Sequence, residues 1–249
     1  MARLSPVLAA VIALAPATLP AQSVDEILGK HFQALGGLEK LKAARSFRMT
    51  GRMVLGQGME ATFLRVQKRP NLVRMEFTIQ GITGVQAYDG QTAWMHMPFM
   101  GQSAPEVMPE DLAKAAIEEA EFDGPLMDYA ARGSTVELMG KEPVEGTETF
   151  KVKLTRKTGE VTYYYLDSEY YLPLKSDTKR TIQGRELPMS TTYGDYKDVG
   201  GLIIPHSLQI SGQGPGIQTL LLDKVEVDVP LDDAQFKMPA PPAPPKDAW

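Results

Sequence analysis

The 249-residue sequence contains no cysteine. A cysteine nucleophile, a disulfide framework and a CxxC metal motif are therefore excluded. The cysteine that carries the lipid of bacterial lipoproteins is missing as well, so we expect a protein that is not itself lipid-anchored. A chain of this length can bury a core large enough to fold without disulfides.

Histidine is scarce, and the motifs of common catalytic and metal sites are absent. The sequence has three histidines and no HExxH, GxSxG, calcium-type Asp-x-Asp loop or phosphate-binding glycine loop that enters a helix. His31 falls on the apolar face of a predicted helix, and His206 on the apolar side of a predicted strand. Both positions are typical of core or cavity-wall histidines. We therefore expect no enzymatic activity, no metal and no cofactor.

Basic clusters are also missing. Lysine and arginine total 26 against 31 acidic residues, which gives a net charge of −5 without any basic run or basic-aromatic stripe. This composition argues against a nucleic-acid partner. We expect the protein to be a monomer.

The longest apolar run, residues 4–15, stands at the N-terminus. Arg3 precedes it, and Pro20 and Ala21 follow it. This arrangement predicts a secretory signal peptide over residues 1–21, and the run is too short and too proline-interrupted for a membrane span. We expect the remaining chain to be free in an extracytoplasmic compartment.

Alternation of apolar and polar residues runs through most of the sequence. Ser23 and Glu26 form a capping box that opens an N-terminal helix. From residue 46 the period is two, as in LVRMEFTIQ, and short turns between the strands imply antiparallel pairing. We predict a mainly β (α+β) domain over residues 22–238 with about eleven strands. So many strands must curl, which favours an unclosed, strongly curved antiparallel β-barrel.

Residues 107–133 interrupt the strand pattern with helix-favouring sequence. The segment PEDLAKAAIEEAEF has a strongly acidic face and a thin apolar face. Such a helix packs loosely, so we predict that residues 107–133 form a helical lid. An ordinary helix over one end of the core is the alternative. The proline-rich residues 239–249 are predicted to be disordered or polyproline II.

Methionine is frequent, with 13 residues. Its flexible side chain suits an apolar surface that adapts to varied ligands, although it also fills gaps in cores. In TAWMHMPFM, Met95 and Met97 flank His96, a combination that copper(I) can bind. In a regular strand, however, Met95, Met97 and Phe99 lie on one face and His96 on the other. We therefore predict a cavity wall, and a copper site would require a distorted strand.

Two segments resemble the LolA-like family of outer-membrane lipoprotein-sorting proteins. They are KRPNL at residues 68–72, and DGQTAW at residues 89–94 with the following Pro98 and Phe99. The order of helix, strands, helical insert and strands also agrees. The resemblance implies an unclosed β-barrel whose helical lid covers a hydrophobic cavity, and a periplasmic function in carrying the acyl chains of lipoproteins. It also implies that Arg69 hydrogen-bonds to the lid and controls its opening.

The resemblance and the strand pattern together predict the binding partners. We expect lipid or lipoprotein acyl chains as ligands, membrane-bound donor and acceptor proteins, and transfer towards the outer membrane. The alternative is a periplasmic sensor or regulatory domain that uses the same fold to bind lipid or a partner protein. The predicted cavity wall consists of apolar residues from the first five strands and the segment after them: Met49, Met53, Phe63, Val73, Met75, Phe77, Met95, Met97 and Phe99.

Overall fold

The computed structural model describes residues 22–55, 58–182, 185–212 and 216–240. The predicted signal peptide, residues 1–21, lies outside these ranges, as do residues 241–249 of the predicted proline-rich tail. Among the described residues, no helix combines the length and the apolar character that crossing a bilayer requires.

The described elements confirm the mainly β prediction. The helices are α1 (Val24–Ala34), α2 (Leu38–Ala43) and α3 (Glu110–Glu119). The strands are β1 (Ser46–Val54), β2 (Glu60–Lys68), β3 (Leu72–Ile79), β4 (Ile82–Tyr88), β5 (Ala93–His96), β6 (Glu106–Val107), β7 (Thr135–Val144), β8 (Thr147–Thr155), β9 (Val161–Asp167), β10 (Pro173–Ile182), β11 (Arg185–Val199), β12 (Leu202–Ser211) and β13 (Ile217–Val227). Thirteen strands slightly exceed the predicted number, partly because β6 has only two residues and no readable alternation.

All described strands belong to one antiparallel sheet. Its order is β6-β5-β4-β3-β2-β1-β13-β12-β11-β10-β9-β8-β7. The two edges, β6 and β7, follow each other in the chain and are joined by the segment that contains α3. Within the described residues these edges do not pair with each other, so the barrel is unclosed, as predicted. The helical insert therefore bridges the gap between the edges.

A bulge where the first and last strands meet helps the sheet to curve. The pairing of β1 with β13 shifts register between Thr50 and Gly51. At Gly51 an added Cβ would lie 2.0 Å from the carbonyl oxygen of Leu221. Only glycine allows the backbones to approach this closely. Bulges of this kind increase the local twist, which a sheet of this size needs to curl.

The N-terminal helix covers the inner face of the sheet near β7, β8 and β9. The predicted capping box is present, because Ser23 accepts from the amide of Glu26 and Glu26 accepts from that of Ser23. Ile27 and Leu28 pack against β8 and β9. His31 is buried, and its Nδ1 lies 2.9 Å from the carbonyl oxygen of Tyr171. Burial lowers the pKa of His31, as expected of a core histidine.

The outer face carries a separate, smaller cluster near the C-terminus. Val66 of β2 packs there with Leu231 and Phe236. Trp94 is 1% exposed, and its indole nitrogen donates to the carbonyl oxygen of Phe236 at 2.7 Å. The tryptophan of the DGQTAW segment thus anchors the C-terminal segment and lies on the face opposite Met95.

Candidate functional site

Most of the predicted cavity-wall residues meet in one apolar cluster on the inner face. Seven of the nine belong to it: Met49, Met53, Phe63, Val73, Met75, Phe77 and Met95. The register explains the convergence, since Phe63 of β2 lies opposite Phe77 of β3 and their ring centroids are 5.7 Å apart. Strand β13, which pairs with β1, adds Leu220, Leu222 and Val225.

The other two residues, Met97 and Phe99, cover Gly84 of β4. A Cβ at Gly84 would lie 2.5 Å from the sulfur of Met97 and 2.5 Å from the ring of Phe99. Met97 is buried, whereas Phe99 is 38% exposed because strand β5 ends at His96 and a short 3₁₀ helix, Pro98–Met100, follows. The alternation of faces therefore extends one residue beyond β5 to Met97. Phe99 also contacts Gly84, but it does so from the 3₁₀ helix.

The histidine between the methionines points the other way. His96 lies opposite Val85 in the β4–β5 ladder and Met95 opposite Gln86, so the two neighbours occupy opposite faces. Copper ligation by this stretch would need them to converge. In the part of the chain that the structure describes, no three His, Cys, Asp or Glu side chains are grouped as a metal site.

Helix α3 covers the inner cluster with small side chains. Ala113, Ala116 and Ala120 pack against it, together with Met108 from the preceding segment. Larger apolar residues of the helix point outwards, and Ile117 is 43% exposed. The insert thus buries a thin apolar face, as its sequence predicts.

Polar groups inside the sheet bind the C-terminal end of α3. Arg65 and Gln67 stand on the inner face of β2, between Phe63 and the strand end. Arg65 Nη2 donates to the carbonyl oxygen of Glu119 at 2.8 Å. Gln67 Nε2 donates to the carbonyl oxygens of Glu119 at 3.4 Å and Ala120 at 3.3 Å. These carbonyls have no partner within the helix, so the strand supplies the C-cap that α3 lacks.

Arg69 continues this row and joins two helical segments. Its guanidinium forms a two-pronged ion pair with Asp123, directly after α3, at 2.7 Å and 2.5 Å. It also donates to the carbonyl oxygens of Ala44 at 2.6 Å and Leu41 at 3.0 Å, at the end of α2. The ring of Phe122 lies 4.4 Å from the guanidinium carbon. Arg69 therefore contacts the insert at Asp123. Its role in controlling the opening of a lid remains a prediction.

Acidic residues of the insert also pair with arginines across the open side of the sheet. Glu121 bonds with Arg156 at 2.8 Å and with Arg132, within the insert, at 3.2 Å. Glu119 lies 3.6 Å from Arg180 of β10. The acidic face of α3 thus meets basic groups of the far strands.

Two acidic residues, Glu118 of α3 and Glu160, also face each other at this contact. Burial, and then the carboxyl of Glu160 through hydrogen bonding and charge repulsion, together raise the pKa of Glu118 to about 7. Arg156 and Arg180 oppose the shift. Glu118 is therefore partly protonated at neutral pH, and its protonated carboxyl can donate a hydrogen bond to Glu160 across the contact.

Beside the cluster lies a cavity of about 1780 Å³ between α3 and strands β9 to β12. Met108, Leu112 and Ala116 line it from the insert, and Arg180 and Met189 line it from the sheet. None of the nine predicted wall residues is among its described lining residues, because α3 covers them. Met108 and Ala116 belong to both the cluster and the cavity wall, so these two residues separate the packed cluster from the open space.

The family resemblance pointed to Arg69, whereas Arg65, Gln67 and Arg180 were missed. The signal for the first two was present, since RVQKR places polar residues at alternating positions that continue from Phe63. Such polar residues on an otherwise apolar face indicate a buried polar partner. Arg180 had no comparable signal, because its neighbours in β10 are polar on both faces.

No protein-family model matches the sequence, and no curated protein does. Several solved structures resemble the fold of this chain over most of its length. A LolA superfamily protein from Nitrosomonas europaea is 15% identical with a TM-score of 0.57, covering 87% of this chain and 98% of its own. A DUF1329 family protein from Desulfovibrio piger is 14% identical with a TM-score of 0.61 and the same coverages. A putative outer membrane lipoprotein-sorting protein domain from Vibrio parahaemolyticus is 12% identical with a TM-score of 0.56, covering 85% and 94%. The chain therefore has the LolA-like fold that its KRPNL and DGQTAW segments predict.

Proposed function

We propose that this protein is a periplasmic carrier that binds lipid acyl chains, those of lipoproteins among them, between the inner face of its sheet and the insert. The observation that supports this most strongly is the continuous apolar cluster under α3. Seven predicted wall residues form it, and they are covered by a helix that offers mainly alanines. A cover with so little apolar surface can leave the cluster at a small energetic cost.

The adjoining cavity supports the same proposal. It offers about 1780 Å³ beside the cluster, with Met108 and Ala116 at the boundary. Displacing α3 would join the apolar cluster to this cavity, whose wall also carries charged side chains, in one continuous space along the sheet. Each methylene group of a bound chain would contribute roughly 0.8 kcal/mol, so a few methylenes give useful affinity without specific polar contacts.

The LolA-like fold is consistent with this function but does not establish it, because one fold serves several functions. One of the similar solved structures is described as a putative outer membrane lipoprotein-sorting protein domain. Transfer to the outer membrane, with membrane-bound donor and acceptor proteins, is the part of our proposal that rests on this likeness.

Titration with a fluorescent fatty acid tests acyl-chain binding. We expect saturable binding that unlabelled lipid or a triacylated lipopeptide displaces. Met95→Gln introduces a polar group into the inner cluster and should weaken binding by about tenfold. Met139→Gln is the matched control, because Met139 is 52% exposed on edge strand β7.

A flat titration of the wild-type protein would contradict the proposal. Equal losses in the two methionine variants would contradict the placement of the chain on the inner face. The melting temperature of each variant shows whether a loss reflects binding or folding. Native mass spectrometry of protein taken from cell extract then identifies the bound cargo.

A further inference from the structure

We propose that the site selects amphiphiles with an anionic head group, and that Arg65 and Arg180 bind this head group when it replaces Glu119. The inference rests on the proposed function, because it assigns a ligand class to the same site. It starts from two arginines that approach one glutamate of the insert from opposite parts of the sheet.

Arg65 is a cation among apolar side chains. On the inner face of the sheet its strand neighbours are Phe63 and Gln67, and its cross-strand partners are Met49 and Met75. The residue keeps some exposure, but its Nε is shielded and has no hydrogen-bond partner in the described part of the chain. Burial lowers the pKa of Arg65, and the charge of Glu119 opposes that shift. A guanidinium in such a place is stable only beside an anion or several acceptors.

Arg180 shows the same incomplete pairing on the other side of Glu119. Its Nη1 lies 3.6 Å from a carboxylate oxygen of Glu119, which is too long for a good hydrogen bond. Its Nε is buried and, within the described residues, also unpaired. The side chain lines the cavity, so its remaining donors are within reach of a ligand there.

The glutamate between these arginines belongs to the part that must move. Arg65 binds the Glu119 carbonyl, and Arg180 faces its carboxylate. Displacement of α3 would remove the carbonyl group that Arg65 binds and the carboxylate that Arg180 faces. A carboxylate or phosphate on the ligand would restore the pairing, since guanidinium binds either group through two parallel hydrogen bonds. In the closed protein Glu119 thus occupies the position of the head group.

The surroundings fix the class of ligand. The inner cluster on one side of Arg65 accepts an acyl chain, and the cavity that Arg180 lines accepts a polar head. An anionic amphiphile meets both requirements, whereas a neutral lipid would leave the two cations unpaired. We therefore expect discrimination by head-group charge at constant chain length.

The experiment compares 11-(dansylamino)undecanoic acid with its methyl ester. The two probes share one chain and differ in the charge. We expect the wild-type protein to bind the acid about tenfold more tightly than the ester. Arg180→Gln should bring the two affinities within about threefold, and Glu119→Gln should strengthen binding of the acid more than that of the ester, because it removes the competing carboxylate. Arg52→Gln is the control, since Arg52 is exposed on β1.

The outcomes separate the two proposals. Equal wild-type affinities for acid and ester, or a preference that Arg180→Gln and Glu119→Gln leave unchanged, would overturn the head-group inference while supporting acyl-chain binding. Loss of the preference in Arg52→Gln as well would overturn the assignment to Arg180. No binding of either probe would overturn both proposals. Melting curves of all variants confirm that each is folded when it is titrated.

Discussion

Replacing Asp123 with alanine tests whether the pair with Arg69 holds the insert closed. The two side chains are 22% and 23% exposed, and two short hydrogen bonds join them. The pair is therefore stronger than an exposed ion pair, which contributes about 0–1 kcal/mol. Arg69 keeps its bonds to Leu41 and Ala44 after the substitution, so no buried cation is orphaned. We expect Asp123→Ala to weaken closure by about 1–2 kcal/mol.

Hydrogen exchange detected by mass spectrometry measures this effect where it acts. A change of about 1–2 kcal/mol corresponds to exchange roughly 5- to 30-fold faster. We expect this acceleration in peptides covering residues 110–120 and no change in peptides from β2 and β3. Asp128→Asn is the control, because the pair of Asp128 with Lys42 joins the same insert to α2 but is about half exposed, and asparagine tolerates the positive φ of this residue.

Two results would refute this reasoning. Unchanged exchange in the insert would show that Asp123 does not hold it. Equal acceleration over the whole sheet would show that the pair stabilises the fold and not the closed position of the insert. Asp128→Asn should change exchange by less than about threefold.

Three further predictions concern pH, the sheet and the C-terminal segment. The pKa of Glu118 rises from its ordinary 4.5 to about 7 in the closed protein, so closure is most favoured below pH 4.5 and loses this contribution as the pH rises to about 7. Glu118→Gln should remove this pH dependence from the hydrogen exchange of the insert, once the rates are corrected for intrinsic exchange. An unchanged dependence on pH would contradict the prediction. Gly51→Ala forces a Cβ against a β13 carbonyl and should lower the free energy of unfolding by about 2–4 kcal/mol in urea, whereas Gly194→Ala meets no atom within 4 Å and serves as control. Trp94→Phe leaves the carbonyl of Phe236 without its donor and should lower the free energy that holds the C-terminal segment in place by about 1–2 kcal/mol. An unaltered rate of proteolysis in this segment would argue against Trp94 as its anchor.

The first five strands could be predicted because apolar and polar residues alternate over most of their length, although Arg65 and Gln67 interrupt the inner face of β2. The run Val73, Met75, Phe77 shows the period directly, and the neighbouring strands repeat it. The sixth strand could not be predicted, because its two residues are held by pairing with Trp94 and Met95 and not by a pattern of their own. Local patterns thus predicted the sheet, while the position of its edges depended on contacts between segments distant in the sequence.

The candidate site was predictable for its apolar part only. Alternation of apolar and polar residues predicts the inner positions of Met49, Met75 and Met95, and the structure places these three residues in one cluster. The structure adds what alternation cannot show, that α3 covers these residues and that the open cavity lies beyond it. Pairing of Glu119 with Arg65 and Arg180 brings together residues far apart in sequence, and a single sequence carries no signal for such distant contacts.

The composition of α3 suggests why an acyl chain could displace it. Three alanines of the insert pack against the cluster, Ala113 and Ala116 in α3 and Ala120 at its C-cap, and they contribute at most roughly 2–3 kcal/mol of apolar burial at about 0.8 kcal/mol for each methyl group. Eight methylenes of a bound chain would contribute roughly 6 kcal/mol on the same scale. The carbonyl groups that Arg65 and Gln67 bind can turn to water when the helix moves, whereas Arg65 then needs another acceptor, which the head group of the ligand would supply. An acyl chain would therefore replace α3 on the apolar face. The head group bound with it would be one that can replace the anionic contacts of the insert.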